Sequence, residues 1–319
     1  MFKPIKSSVI ALGIAASIGV ASTAQADALA VSDILLSNLL FGNGTRTLDF
    51  SDFTALTFTN SGQVTAQLGA GSQTFAGNTT PLDLYACVGT GCPANNTFPF
   101  TPPPPVNTFS TADQLEQGAP ITNVPNGTGG VLSTGATVDA GTYVSLASAN
   151  VGNAQSKNGL SSTFLFTLGS TTPVTITFDA QEYLQAFTAL NQQFPTNALA
   201  STTVCFTVTP VGLTAPIINW CPDGTPNNDL GITSSTEPFS LNVNASRNAP
   251  FNGSTQFGPF TGTFSGTTIP LIGGVPYQLS AVETSTSSAL EVPEPGSLAL
   301  LSAALLGFGF SRRKLFGKR

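Results

Sequence analysis

The feature that most constrains the fold is a two-residue apolar rhythm that recurs along the chain. Val204, Phe206 and Val208 alternate with Thr203, Cys205 and Thr207, and Ile218 and Trp220 alternate with Asn219 and Cys221. The same period runs through Phe164, Phe166 and Leu168, through Val174, Ile176 and Phe178, through Phe239, Leu241 and Val243, through Phe260 and Phe264, and through Tyr277, Leu279 and Ala281. Successive side chains of a strand point to opposite faces, so this rhythm gives each segment one apolar and one polar face. Gly, Pro and Asn punctuate the segments and supply turns, as in Gly169-Ser170-Thr171-Thr172-Pro173. Many short strands of this kind predict an all-β fold, a β-sandwich of jelly-roll-like form. One segment reads two ways: Tyr183, Phe187, Leu190 and Phe194 are spaced as on a helix, yet they continue directly from a strand.

The body, residues 27–291, suits one large all-β domain or two smaller ones. The run Pro99 to Pro105 is expected to be extended. A surface loop within one domain is preferred over a boundary between 27–98 and 106–290.

The four cysteines allow three pairings. If the strands around Cys205 and Cys221 form a hairpin centred on Leu213, Phe206 faces Trp220, Val208 faces Ile218, and Cys205 faces Cys221. The apolar pairs then share one side and the cysteines the other, and directly opposed residues are within disulfide reach. The favoured pairing is therefore Cys205–Cys221 with Cys87–Cys92. A zinc site is the rival reading, but two separated pairs without histidine make a poor ligand set.

Charge is sparse and uneven. Between Asp27 and Glu294 stand all sixteen acidic residues and only Arg46, Lys157 and Arg247, a balance of 3 − 16 = −13. Such a body repels phosphate backbones, which argues against nucleic acid as a partner. The chain has no histidine, which excludes Ser-His-Asp and Cys-His catalysis and His-ligated metals. Lys157, the only lysine of the body, falls in a polar stretch expected to be a solvated loop. Asp179 and Glu182 are neighbours, but three apart on a strand they face opposite sides, unlike a glycosidase pair. Asp223 and Asp229 bracket a loop of oxygen ligands that is a weak Ca²⁺ candidate, although it matches no EF-hand spacing and its residues are ordinary turn formers. Tyr85 and Tyr143 are candidate sugar-stacking aromatics. No catalytic residue, cofactor or resident metal is expected.

Both ends read as addresses. Residues 1–26 have the form of a secretory signal peptide: Lys3 and Lys6, an apolar run from Val9 to Val20, and a small-x-small cleavage site at Ala24-Gln25-Ala26. The run is too short for a stable span, which needs roughly 20 apolar residues. Near the C-terminus, Pro293-Glu294-Pro295 precedes an uncharged apolar stretch, residues 296–310, and then Arg312-Arg313-Lys314. As a short transmembrane helix this stretch rises about 22 Å, less than the roughly 30 Å hydrocarbon core. Its basic residues snorkel and stay cytoplasmic, leaving the body outside. The prolines keep the preceding chain extended for a protease.

This order of Pro-Glu-Pro, apolar helix and basic cluster over residues 292–319 resembles the PEP-CTERM sorting signal of Gram-negative bacteria. The resemblance implies recognition and cleavage of the tail by a membrane-embedded exosortase, after transient anchoring in the inner membrane. The stretches 166–187, 219–224, 237–242 and 275–290 are also similar to a family of exosortase-dependent surface-associated proteins, although Cys221 stands where that pattern has a small residue. The resemblance implies a surface or matrix role without known chemistry. The expected function is thus a secreted, non-enzymatic cell-surface or biofilm-matrix protein, with signal peptidase and exosortase as processing partners and exopolysaccharide as a possible associate. The alternatives are a carbohydrate- or Ca²⁺-binding adhesive module and, behind it, a secreted glycoside hydrolase.

Overall fold

With one exception, the alternating segments form or directly adjoin strands. The computed structural model describes residues 28–79, 81–96, 107–125, 129–147, 153–189, 196–248 and 253–291. Its strands are β1 (Ala28–Gly42), β2 (Phe53–Leu68), β3 (Gly71–Gly77), β4 (Leu82–Gly89), β5 (Phe109–Gln117), β6 (Ala136–Leu146), β7 (Asn153–Leu168), β8 (Thr175–Thr188), β9 (Thr196–Pro210), β10 (Ile218–Trp220), β11 (Ile232–Thr236), β12 (Asn244–Asn248), β13 (Gly253–Thr268) and β14 (Pro276–Glu291). The exception is Phe239 to Val243, an irregular connection between β11 and β12 that makes one isolated bridge, Asp223↔Ser240, and is tied to β9 where the Thr202 N–H donates to the Val243 carbonyl. The expected signal helix, the Pro-rich run and the C-terminal apolar helix lie outside the described residues.

Two open antiparallel sheets face each other. The first has the order β11-β13-β8-β1-β6-β5-β4 and the second β10-β9-β14-β7-β2-β3, with β12 also pairing β9. Pairings β1·β8 and β2·β7 nest as in a jelly roll. The resemblance to a roll stops at β6, which sits between β1 and β5 instead of pairing with β3. Tyr183 and Phe187 belong to β8, so the ambiguous segment is a strand there; Leu190 and Phe194 lie outside the described residues.

The interior changes character along the strands. One end is aromatic: Phe178 of β8 and Phe264 of β13 stack at 5.2 Å, and Phe206 and Trp220 from the opposite sheet stack at 5.4 Å. Phe178 joins the two stacks, with its ring centroid 5.8 Å from that of Trp220. Such ring pairs add about 1 kcal/mol each beyond the area they bury. A Cβ at Gly266 would lie 2.8 Å from the indole carbons, so only glycine lets the ring approach the sheet this closely. The other end packs small residues: Ala28, Ala154 and Ala289 meet Val144 and Leu146. Ala28 opens the first strand and Ala289 is two residues from the end of the last, so the two ends of the body emerge at the same pole.

Candidate functional site

Between the aromatic and the alanine-rich ends, the facing surfaces of the sheets are polar. Glu116 of β5 and Glu182 of β8 point inward from one sheet and Glu283 of β14 from the other, with relative exposures of 6%, 0% and 3%. Ser162 Oγ donates to Glu116 Oε1 at 2.7 Å, and Thr202 Oγ1 donates to Glu182 Oε1. Glu116 Oε2, Glu182 Oε2 and both carboxyl oxygens of Glu283 have no hydrogen-bond partner. Around them Ser32, Thr142 and Ser285 form a hydroxyl cluster, with Ser285 Oγ 2.9 Å from both Ser32 Oγ and Thr142 Oγ1. Beside this cluster Gln114 presses on Gly62, where any Cβ would overlap its amide.

Removing a carboxylate from water disfavours its charge. Burial pushes Glu116 up to about 7, opposed by the Ser162 hydrogen bond, and Glu182 up to about 8, opposed by Thr202. Glu283 is also raised well above the usual carboxylate range, first by burial and then by the neighbouring carboxyls of Asp139, Glu116, Asp33 and Glu182.

A cavity of about 280 Å³ adjoins this belt, reached by Glu116, Glu283, Asn60 and Ser162 and otherwise walled mainly by aliphatic and aromatic side chains such as Leu36, Leu160, Phe164 and Phe206. Gly118, exposed Pro125 and half-buried Leu132 form its outer rim. Neither lysine nor arginine lines it.

A second group of carboxyls lies on the outward face of the first sheet. Asp33 and Asp113 flank Gly141 in register, and Asp139 stands two residues along the middle strand. Burial raises all three, Asp113 to about 8 and Asp139 to about 6, with Asp139 the next cause for both Asp33 and Asp113. Asp113 Oδ2 accepts from the Asn96 backbone at 2.8 Å. Among the described residues, no group of three or more His, Cys, Asp or Glu side chains is arranged to hold a metal ion.

The residues singled out in the sequence are placed as follows. Both cysteine pairs are at disulfide distance, Cys87–Cys92 with Cα atoms 6.3 Å apart and Cys205–Cys221 with Cα atoms 4.2 Å apart. The hairpin register is the expected one, Trp220 opposite Phe206 and Ile218 opposite Val208. Asp179 faces outward, receiving Asn38 and Thr263, while Glu182 faces inward. Lys157 is not in a loop: it is an exposed position of β7, whose first half was hidden from an apolar pattern because its inward residues include Ser156 and Asn158. Tyr143 is no surface platform, being buried edge-on against Phe109 at 4.7 Å, and the Tyr85 hydroxyl donates to the Pro93 carbonyl.

In the Asp223–Asp229 loop the carboxylates act as backbone acceptors. Asp223 Oδ1 receives the Thr225 N–H at 2.8 Å, and Asp229 Oδ1 receives the Cys221 N–H at 3.2 Å. Sequence reasoning missed the third acid of this corner, Glu237. Its Oε1 accepts from the Trp220 indole at 2.9 Å and its Oε2 from the Asp223 and Gly224 backbones. Leu241 N–H and Asn242 Nδ2 both reach the Pro222 carbonyl. The stretches 219–224 and 237–242 are thus the two halves of one structural corner.

β14 ends at Glu291, and the Pro-Glu-Pro sequence, the apolar stretch and the basic cluster lie outside the described residues. Among the described residues no helix is long and apolar enough to cross a membrane. The chain is thus an open two-sheet β-protein whose last strand runs directly into a tail of sorting-signal form. A family model described as the PEP-CTERM protein-sorting motif matches residues 291–314. The chain therefore carries a PEP-CTERM sorting signal, which marks an exported, exosortase-sorted protein associated with the cell surface. No curated protein and no solved structure matches it.

Proposed function

We propose that this chain is a non-enzymatic structural component of the cell surface or extracellular matrix, a biofilm-associated β-sandwich delivered by its tail. In this reading signal peptidase cuts after Ala26, and residues 296–310 hold the precursor briefly in the inner membrane. An exosortase then cuts near Pro293 to Pro295, and the freed body associates with exopolysaccharide. The observation that carries the reading is the PEP-CTERM motif beginning at the last residue of β14. The common pole of Ala28 and Ala289 supports it, because a body leaving the membrane by one end and held by the other meets the bilayer with a single surface. Pro293 is two residues past the last paired position, so cleavage there falls within about 10 Å of the sheet end at roughly 3.5 Å per residue.

The test is fractionation of the native host with intact-mass measurement of the protein. The expected product starts at Asp27, ends near Pro293 to Pro295 and lies in the surface or medium fraction. In an exosortase deletion the full tail is retained in the membrane. Tail loss unchanged by that deletion, or an intact tail in the surface fraction, overturns the reading.

A further inference from the structure

Among the described strands, all but one of those at the sheet edges are guarded. An edge strand offers unpaired N–H and C=O groups to any other extended chain, and proteins blunt it with charges, proline, bulges, covering loops or very short strands. β11 has five residues and a register shift between Ile232 and Ser234, β10 has three residues, and β12 has five and carries Arg247. β4 carries Asp83, is tied into the Cys87–Cys92 bridge, and donates its Cys87 N–H to Gln73 Oε1 at 3.2 Å. β3 has none of these devices. It runs from Gly71 to Gly77 without charge, proline or register shift against β2. Its hairpin closes on the pair Leu68↔Gly71 across Gly69, which has a φ of 55°, and Ala70. A two-residue hairpin of this kind closes on a hydrogen-bonded pair, so Gly71, Gln73, Phe75 and Gly77 bond to β2 while the main chain of Ser72, Thr74 and Ala76 points away. Those three residues are exposed, and among the described residues nothing bonds to their main-chain groups.

We propose that β3 is a self-association edge, pairing antiparallel with β3 of a second copy about a twofold axis beside Thr74. In that register Thr74 faces the partner's Thr74 and Ser72 faces the partner's Ala76, so the outward main-chain groups exchange about six hydrogen bonds. Charge favours this meeting place. Residues 53–82 contain no charged side chain, so in a body with a balance of −13 the β2–β3 ribbon is where two copies approach with least repulsion. The side chains are self-complementary as well. Phe75 is 49% exposed, on the side of the ribbon that its neighbour Val64 turns inward. The twofold register sets it diagonal to the partner's Phe75, close enough for the two rings to cover each other. β4 does not obstruct the approach, because Gly71, Gln73 and Phe75 are exposed on their inward side and β3 therefore overhangs the first sheet. An isologous contact uses each edge once and closes at two copies. This inference does not rest on the sorting pathway, and its failure would leave that reading untouched.

The test is analytical ultracentrifugation of the mature exported protein up to about 0.1 mM, a range set by the weak affinity of so small an interface. A reversible equilibrium between one and two copies is expected, with no growth beyond two. Ser72→Lys with Ala76→Lys sets like charges opposite each other across the axis and should weaken dimerisation about tenfold. Ser72→Lys with Ala76→Glu sets opposite charges at the same exposed positions and should retain it. Hydrogen exchange needs no variant: the Ser72, Thr74 and Ala76 amides should slow about fivefold or more between about 1 μM and 0.1 mM. A single copy throughout that range, a dimer unaffected by both double variants or lost equally in both, a complex of one copy with a different chain, or β3 amides that exchange equally fast at both concentrations overturns the proposal.

Discussion

Glu116 allows the polar belt to be tested through stability alone. Burial raises its pKa from an ordinary 4.5 to about 7, so the folded chain keeps a proton that the unfolded chain releases above about pH 4.5. The sign follows from linkage: the native state binds more protons, so stability falls as pH rises. The contribution is complete below pH 4.5 and is lost as pH passes through 7. The loss is about 3 kcal/mol by pH 8, from about 1.4 kcal/mol per pKa unit. Glu116→Gln removes the titration and keeps an oxygen able to accept from Ser162. Urea unfolding of the mature protein and the variant from pH 4.5 to 8 should give matching stabilities at the acid end. The difference should grow by up to about 1.4 kcal/mol per pH unit between pH 5 and 7, leaving the variant about 3 kcal/mol the more stable at pH 8. Glu283, raised in part by the Glu116 charge, would relax in the same direction and enlarge the gap. Parallel profiles, or a variant that loses ground as pH rises, would refute the assignment of Glu116 to a desolvated interior.

Three further outcomes test the packing. Trp220→Phe leaves Glu237 Oε1 without its indole donor and should cost about 2 kcal/mol in urea unfolding, the range for an orphaned buried acceptor. Gly266→Ala drives a methyl into the indole ring at 2.8 Å and should cost about 1–3 kcal/mol, seen as a lower Tm with a shifted tryptophan emission. Cys205→Ser opens a loop with a sequence separation of 16 and should cost about 3 kcal/mol, while thiol titration of the unfolded native protein should find no free cysteine.

The sequence was legible where a strand packs against the aromatic end of the core. Around Cys205 and Cys221, alternation gave both the strands and their register, because Phe206, Val208, Ile218 and Trp220 all face one apolar interior. It failed where the inward face is polar. The first half of β7 turns Ser156 and Asn158 inward and the middle of β14 turns Glu283, Ser285 and Ser287 inward, so a rule that equates buried with apolar finds no pattern there. Thr111 and Asp113 of β5 are buried as well, on the other face of their sheet, which removes even the polar half of the alternation. The glutamate belt and its cavity were invisible for the same reason: Glu116, Glu182 and Glu283 lie far apart in the chain, and only the pairing of β5, β8 and β14 within facing sheets brings them to one layer. The opposite error occurred at Phe239 to Val243, where apolar spacing suggested a strand. That rhythm instead serves a corner in which Phe239 meets Phe264 edge-on at 5.1 Å while Leu241 and Asn242 hold the Pro222 carbonyl.

The gradient inside the sandwich bears on how the chain is used. The two ends of the body share the small-residue pole, while the stacked rings and the Cys205–Cys221 bridge stabilise the sheets away from it. Local opening follows the density of buried apolar contacts, so alanine layers yield before aromatic ones. Fraying where the tail joins β14 would therefore meet the polar belt before it reached the aromatic core. Such a layout lets the last strand loosen near the proposed cleavage region beyond Glu291 without unfolding the rest. The buried glutamates reinforce that boundary, because extending the opening past Glu283 exposes carboxyls that ionise on contact with water at neutral pH and resist being buried again. A tail-proximal opening is thus confined by packing on one side of the belt and governed by protonation within it.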